Sequence, residues 1–189
     1  MADTGGRALR PRSSAEEEKV TRTMAVLSLV ASAVMAGATA SEAPGLDRDK
    51  EKAAVAKVIQ DSIRWALTKD RALQESTMAH DEDLLVIWTD SKSAVSGWTE
   101  YAKLYDGWMS PRFKATLTEV RDLQVHLSRS GDVAWYSATL DDLGEWDGKP
   151  VGHRDIRWTG VLERRDGKWV VVQMHGSVGT DRVAKTPDR

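Results

Sequence analysis

The chain has 189 residues, 41% of them hydrophobic and 30% charged, with a formal net charge of -2 and a pI near 6.1. That is enough apolar material for one globular domain with a substantial core, and the charge balance lacks the basic footprint that nucleic acid or an anionic membrane demands, so no nucleic-acid partner is expected. Cysteine is absent, which excludes disulfides, thiol nucleophiles and Cys-ligated zinc, while eight Trp against three Tyr and one Phe make the chain rich in indole.

Residues 1–23 are polar and mixed in charge, and Met24 to Ala40 is a run of small apolar residues. Lys19 and Arg22 precede it and Ala38-Thr39-Ala40 closes it, the layout of a secretory signal with an h-region over 24–36 and cleavage after Ala40. The mature chain is then expected to be secreted or periplasmic, with no stable membrane association after cleavage. Residues 41–47 read as a linker, 48–178 as the folded domain and 179–189 as a polar tail.

Within the domain, Val55, Val58, Ile59, Ser62, Ile63, Ala66 and Leu67 recur at helical spacing and predict a helix with one buried face, Trp65 lying at its edge. A short helix follows, capped by Asp70, with Leu73 and Thr77 inward. Leu84 to Trp88 is a continuous apolar run that predicts a strand covered on both faces, and Thr89 to Lys92 a polar loop. Gly97 to Met109 places Trp98, Tyr101, Ala102, Tyr105, Trp108 and Met109 on one side of a third helix, which Pro111 stops. From Phe113 the chain is β throughout, with one long strand bent or bulged near Glu119 to Arg121 and another over Val133 to Leu140.

The last element is the clearest. Ile156 to Arg165 and Lys168 to Ser177 are strand-forming runs hinged on Asp166-Gly167, a pair that supplies the two positive φ angles of a type I′ turn. Uninterrupted pairing from that turn sets Leu162 opposite Val171, Gly160 opposite Gln173 and Trp158 opposite His175. One face then carries Trp158, Trp169, Gln173 and His175, and the other Val161, Val172 and Met174. Helices followed by hairpin-linked strands predict an α+β fold, a cone-shaped curved antiparallel β-sheet wrapped around the three helices of the N-terminal half.

The Trp88-Thr89-Asp90 turn, the segment from Val120 to Ala138 (V-R-D-L-Q-V-H-L-S-R-S-G-D-V-A-W-Y-S-A) and the segment from Arg157 to Ser177 resemble the SnoaL-like branch of the nuclear transport factor 2-like superfamily over about residues 50 to 178. The resemblance implies a pocket at the open end of the cone and a homodimer formed through the outer sheet face. It leaves the reaction open, since that superfamily holds isomerases, hydrolases, dehydratases, cyclases and non-catalytic adaptors.

The pocket is expected to take a small, largely apolar organic molecule. If the indole-bearing hairpin face is concave, His175 stands in it beside Trp158, an imidazole desolvated by indoles and so suited to general-base work. Asp90, after the first strand, is the candidate rim carboxylate, and Tyr101 and Tyr105 offer phenols to a developing oxyanion. Trp158, Gln173, Tyr101, Tyr105 and Trp88 are the expected ligand contacts. His80 reads as part of a solvated loop, and His126 as outward. His153 and Asp155 make a pair without a third ligand, so no metal and no cofactor are expected. Two functions stay open on these residues: acid–base catalysis of an isomerase, cyclase or hydrolase kind by His175 and Asp90, and a non-catalytic ligand-binding or protein-interaction module.

Overall fold

In the computed structural model the described residues are 45–90 and 94–179. The expected signal segment, residues 41–44 of the linker and residues 180–189 of the tail lie outside them.

Helix α1 (Arg48–Thr68) begins where sequence chemistry asks it to: the Asp47 carboxylate accepts the Lys50 N–H at 3.1 Å, and Asp49 and Glu51 sit in the first turn, where the helix dipole favours acids. It buries Val55, Ile59, Ser62, Trp65 and Ala66. The stripe is thus rotated from the expected one: Trp65 is 4% exposed and Leu67 45%. The indole decides the rotation, because it meets Tyr105 and Trp108 edge-on at ring separations of 6.0 and 5.5 Å. Helix α2 (Arg71–Thr77) is capped by Asp70, which accepts the Leu73 N–H at 2.9 Å.

Strand β1 (Leu85–Ile87) forms a hairpin with β2 (Ala94–Ser96), a short strand that the sequence did not announce. The expected single helix over 97–109 is two pieces, α3 (Trp98–Ala102) and α4 (Tyr105–Trp108). Neither has a side chain capping its first turn, since Gly97 and Leu104 occupy the cap positions. The four long strands are β3 (Phe113–Leu127), β4 (Val133–Trp146), β5 (Lys149–Arg165) and β6 (Lys168–Ser177), and the six-stranded sheet runs β2-β1-β6-β5-β4-β3. β3 to β6 pair antiparallel in sequence order, but β1 lies parallel to β6, so the sheet is mixed and not wholly antiparallel as expected. The architecture is nonetheless the expected one: helices from the N-terminal half against one curved sheet.

Bulges mark the curved strands. β3 gains a residue between Ala115 and Leu117 and another between Arg121 and Gln124, where Asp122 adopts φ 52°. β5 gains one opposite the step from Leu140 to Asp142, at Asp155 with φ 53°. An extra residue on one strand of a pair bends that strand and sharpens its twist.

The β5–β6 hairpin turns at Asp166 and Gly167, whose φ angles of 51° and 79° are the positive pair the Asp-Gly signal requires. Arg165 faces Lys168, Arg164 faces Trp169 and Leu162 faces Val171, as uninterrupted pairing predicts. There it fails. Val161 pairs with Gln173, so Val172 is an extra residue; Gly160 lies opposite Met174, Thr159 opposite His175, and Trp158 opposite Gly176. The slip comes where β6 changes partners: Met78 and Ala79 bridge to Val171, and β1 takes over from Gln173 onward. Beyond the bulge the faces exchange. Met174 and Gly176 join Trp158 and Ile156 on the buried side, while Gln173 and His175 turn to the other. The face expected to carry Val161, Val172 and Met174 outward does not exist as such, because Val172 and Met174 are buried at 7% and 4% exposure.

Candidate functional site

Between α1 and the sheet lies a cavity of about 370 Å³. α1 contributes Ser62, Ile63, Trp65 and Ala66; the β1–β2 hairpin contributes Val86, Trp88 and Val95; the α3–α4 segment contributes Tyr101, Leu104 and Trp108. Phe113, Asp142 and Met174 close it from β3, β4 and β6. Apolar walls with few polar groups are the usual make-up of a small-molecule site.

Asp142 is the one charged side chain among these lining residues. Its direction follows from strand alternation: Ala134, Tyr136, Ala138 and Leu140 share its parity on β4 and point into the core. Burial pushes its carboxyl up to about 6, because taking charge out of water favours the neutral acid. Its neighbour Asp141 has the opposite fate. It faces outward, accepts the Asp155 N–H at 2.8 Å and ion-pairs with Arg121 and Arg154 at 2.7 Å each. That backbone bond, then the guanidiniums, hold it below the usual carboxylate range.

The helical side supplies a polar bridge that the sequence reading missed. Gln74 on α2 is fully buried; its amide N–H donates to the Tyr101 hydroxyl at 2.6 Å, and its carbonyl accepts from the Tyr105 hydroxyl. Burial raises both phenols well above their ordinary value, so they stay protonated and can act only as neutral hydrogen-bonding groups. Tyr101 lines the cavity. Tyr105 packs behind it, against Trp65, Trp98 and Trp108, with the Arg71 guanidinium 4.5 Å from its ring centre.

Of the residues expected to form the site, the structure brings Trp88 and Tyr101 to the cavity. The Trp88 indole lies against Gly176, where a Cβ would come within 3.3 Å of its ring, so that glycine makes room for a cavity wall. Trp158 is wholly buried in the core and edge-on to Tyr136 at 5.1 Å; it is not part of the lining. Gln173 and His175 are corrected by the Val172 bulge: they share the outer face with Thr159 and Val161, so the expected imidazole beside Trp158 is not in the cavity. Asp90 is exposed beyond the end of β1 and is likewise outside the lining. His126 does face outward, stacked on Trp135, and His80 stacks on Trp98 at 3.8 Å. No group of three or more His, Asp or Glu among the described residues is arranged to hold a metal.

The carboxylate at the site, Asp142, was absent from the sequence reading. Its trace there is Leu140-Asp141-Asp142-Leu143: two acids inside a strand, necessarily one on each face, one of which must be desolvated or paired.

Helices of the N-terminal half packed on one curved mixed sheet are the fold of the nuclear transport factor 2-like proteins, and solved structures of that class match this one. The sequence matches the model of the SnoaL-like domain over residues 55–181, and the chain belongs to that family. A nuclear transport factor 2-like superfamily protein from Salmonella enterica is similar at 17% identity and a TM-score of 0.60, over 74% of this chain and 99% of that one. A dehydratase candidate of the same fold family from Streptomyces avermitilis is similar at 18% identity and a TM-score of 0.59, over 70% and 98%. A type 2 hexachlorocyclohexane dehydrochlorinase (LinA) is similar at 19% identity and a TM-score of 0.54, over 69% and 86%. At these identities the likeness is one of fold. Comparison of the sequence with curated proteins finds no match.

Proposed function

We propose that the cavity binds a small, largely apolar organic molecule and that Asp142 transfers a proton to or from it. The observation that carries this reading is a single charged group in an apolar cavity, with its carboxyl raised to about 6. Such a group is mostly ionised at neutral pH, yet close enough to it to take up and return a proton within one cycle, which is the tuning that general acid–base work requires. The reaction class that fits is removal of a C–H proton beside an electron-withdrawing or leaving group: isomerisation, cyclisation or elimination. Two proteins of the same fold bear names of eliminating enzymes, a dehydratase candidate and a dehydrochlorinase, which supports the class without fixing the substrate. The Tyr101 hydroxyl, already accepting from Gln74, keeps its own proton for an oxygen of the ligand.

The test has two stages. Quenching of Trp65, Trp88 and Trp108 fluorescence by a panel of small ketones, alcohols and halogenated hydrocarbons should identify ligands. Deuterium wash-in from heavy water, followed by NMR, then reads proton abstraction directly. Asp142→Asn should retain binding and slow exchange or turnover by about 10²–10⁴-fold. Undiminished exchange in that variant would reject the catalytic assignment. Binding with no exchange for any ligand would favour the second reading, a non-catalytic binding module, which draws support from the scarcity of ionisable groups in the lining: Asp142 and Tyr101 alone.

Export and dimerisation belong to the same proposal. The apolar run over 24–36 and its Ala38-Thr39-Ala40 end support export, and secreted material should then begin at Ser41. Trp135, 47% exposed on β4 and stacked with His126 on the outer sheet face, supports self-association through that face, to be read by analytical ultracentrifugation.

A further inference from the structure

Asp141 and Asp142 are neighbours on β4 with opposite surroundings, and the difference is organised from the outer face of the sheet. Asp141 points away from the cavity yet is only 4% exposed, because three donors cover it. Arg121 reaches it from β3 at 2.7 Å, Arg154 from β5 at 2.7 Å, and the Asp155 N–H at 2.8 Å. Arg121 also bonds the Asp155 carboxylate at 3.0 Å, so one guanidinium ties β3 to carboxylates on both β4 and β5. The cluster sits where both flanking strands are irregular: Asp122 and Asp155, the bulge residues with φ of 52° and 53°, are adjacent to Arg121 and Arg154 in sequence. A non-glycine residue in the left-handed region is uncommon and persists only where its surroundings hold it.

The arrangement selects a register. A slip of β4 by one residue would exchange the two acids between faces. Asp141 would enter the apolar cavity, and Arg121 and Arg154 would lose the carboxylate that they share. We infer that Arg121, Asp141 and Arg154 form a positioning clamp, which pins the β3 and β5 bulges across the outer face and thereby holds Asp142 in the cavity wall. None of the clamp side chains lines the cavity, so their action on the site is through the backbone. The functional weight of the clamp rests on the reading of Asp142 as the proton-transfer group; its effect on where Asp142 stands does not.

The charged and titratable groups around Asp142 can be named element by element. β3 presents Thr118 as the cross-strand partner, with Glu119 and Arg121 on the outer face. β5 presents His153 as the other cross-strand partner, exposed, with Arg154 and Asp155 in the clamp. α3 contributes Tyr101, while the lining residues of α1, β1, β2 and β6 are uncharged.

The test reads Asp142 itself and needs no ligand. In protein labelled with ¹³C at the aspartate carboxyls, the Asp142 signal, assigned by its absence in Asp142→Asn, should titrate with a midpoint near 6. Asp141→Asn weakens the clamp and should bring the midpoint down by about one unit or more, toward the ordinary carboxylate value near 3.9. Arg121→Lys decides between position and charge. It keeps the positive charge but replaces the planar fork that bridges two carboxylates with a single ammonium. A clamp that acts by position predicts a smaller fall in the same direction for Arg121→Lys. A midpoint that stays with the wild type in Arg121→Lys, whether or not its melting temperature drops, overturns the inference, and this variant settles the question alone if Asp141→Asn does not fold. Turnover in Asp142→Asn tests the proposed reaction, and the Asp142 titration tests the clamp, so either can fail without the other.

Discussion

Indoles serve two opposed purposes in this molecule, and what faces them decides which. On β5, Trp158 is wholly buried with Ile156, Leu162 and Val171, in the core cluster to which α1 contributes Val55 and Ile59. Two turns further along α1, Trp65 stands with Trp88 and Trp108 around an open volume of about 370 Å³. The helix face there carries Ser62 and Ala66 in place of Val55 and Ile59. Side chains at i and i+4 lie on one helix face, so exchanging two branched residues for two small ones leaves space that the indoles border but do not fill. Composition alone could not separate filler from wall.

The largest effect that should break the comparison is Trp158→Ala. Removing a fully buried indole from the filled part should cost about 3–5 kcal/mol, read as the drop in unfolding free energy in urea. No hydrogen bond to another protein group is lost with it, since none reaches the Trp158 Nε1, so the loss chiefly measures packing.

The second effect is electrostatic and belongs to the hollow part. Asp142 has a folded-state pKa near 6 against about 3.9 unfolded, so the folded protein binds the extra proton between those values. Its contribution is therefore most favourable below pH 4 and is lost as pH rises to 6, an expected decline of about 2–3 kcal/mol. The stability difference between wild type and Asp142→Asn, followed by denaturation from pH 4 to 7, isolates it. Asp141 contributes with the opposite sign: its lowered pKa stabilises above the ordinary carboxylate range, and that support is lost on acidification.

How far the sequence foretold all this depends on how local each signal is. The caps at Asp47 and Asp70 and the turn at Asp166-Gly167 rest on chemistry within three residues. Asp70 and the Asp-Gly turn were legible for that reason. Trp169-Val170-Val171-Val172 is apolar at every position, so its period-two pattern is silent about a one-residue slip, and the bulge at Val172 cannot be read from it. That one unreadable residue moved Gln173 and His175 out of the expected site and Met174 into it. Asp142 was missed for a related reason: the strand was read only as far as Leu140, so the two acids that follow were given no place in it, whereas β4 continues to Trp146 and sets them on its two faces. Trp88 and Tyr101 survived because each follows from an element that does not depend on the hairpin register.

A third measurement sharpens the contrast in the filled part. At Gly160 a Cβ would lie 2.5 Å from the Gln173 carbonyl oxygen and 2.6 Å from the Tyr136 ring. Gly160→Ala should cost about 1–3 kcal/mol, because a packed core must distort to admit even a methyl group.

The smallest expected effect on stability is the most informative about the cavity. Ala66→Leu adds side-chain volume to the wall that Ser62 and Ala66 leave open, and Ala66 is itself only 8% exposed, so the added atoms are directed into the cavity and not into water. In a filled core such an insertion costs about 1–3 kcal/mol. Here burial of the new apolar surface offsets the crowding, and the change in unfolding free energy should stay within about 1 kcal/mol. Ligand binding, read by indole fluorescence, should nevertheless be abolished, since the added isobutyl group occupies the site. A large destabilisation would mean that the space is already closed in solution. Unaltered stability with unaltered binding would place the ligand elsewhere on the molecule. Only loss of binding at near-constant stability fits indoles that stand as walls.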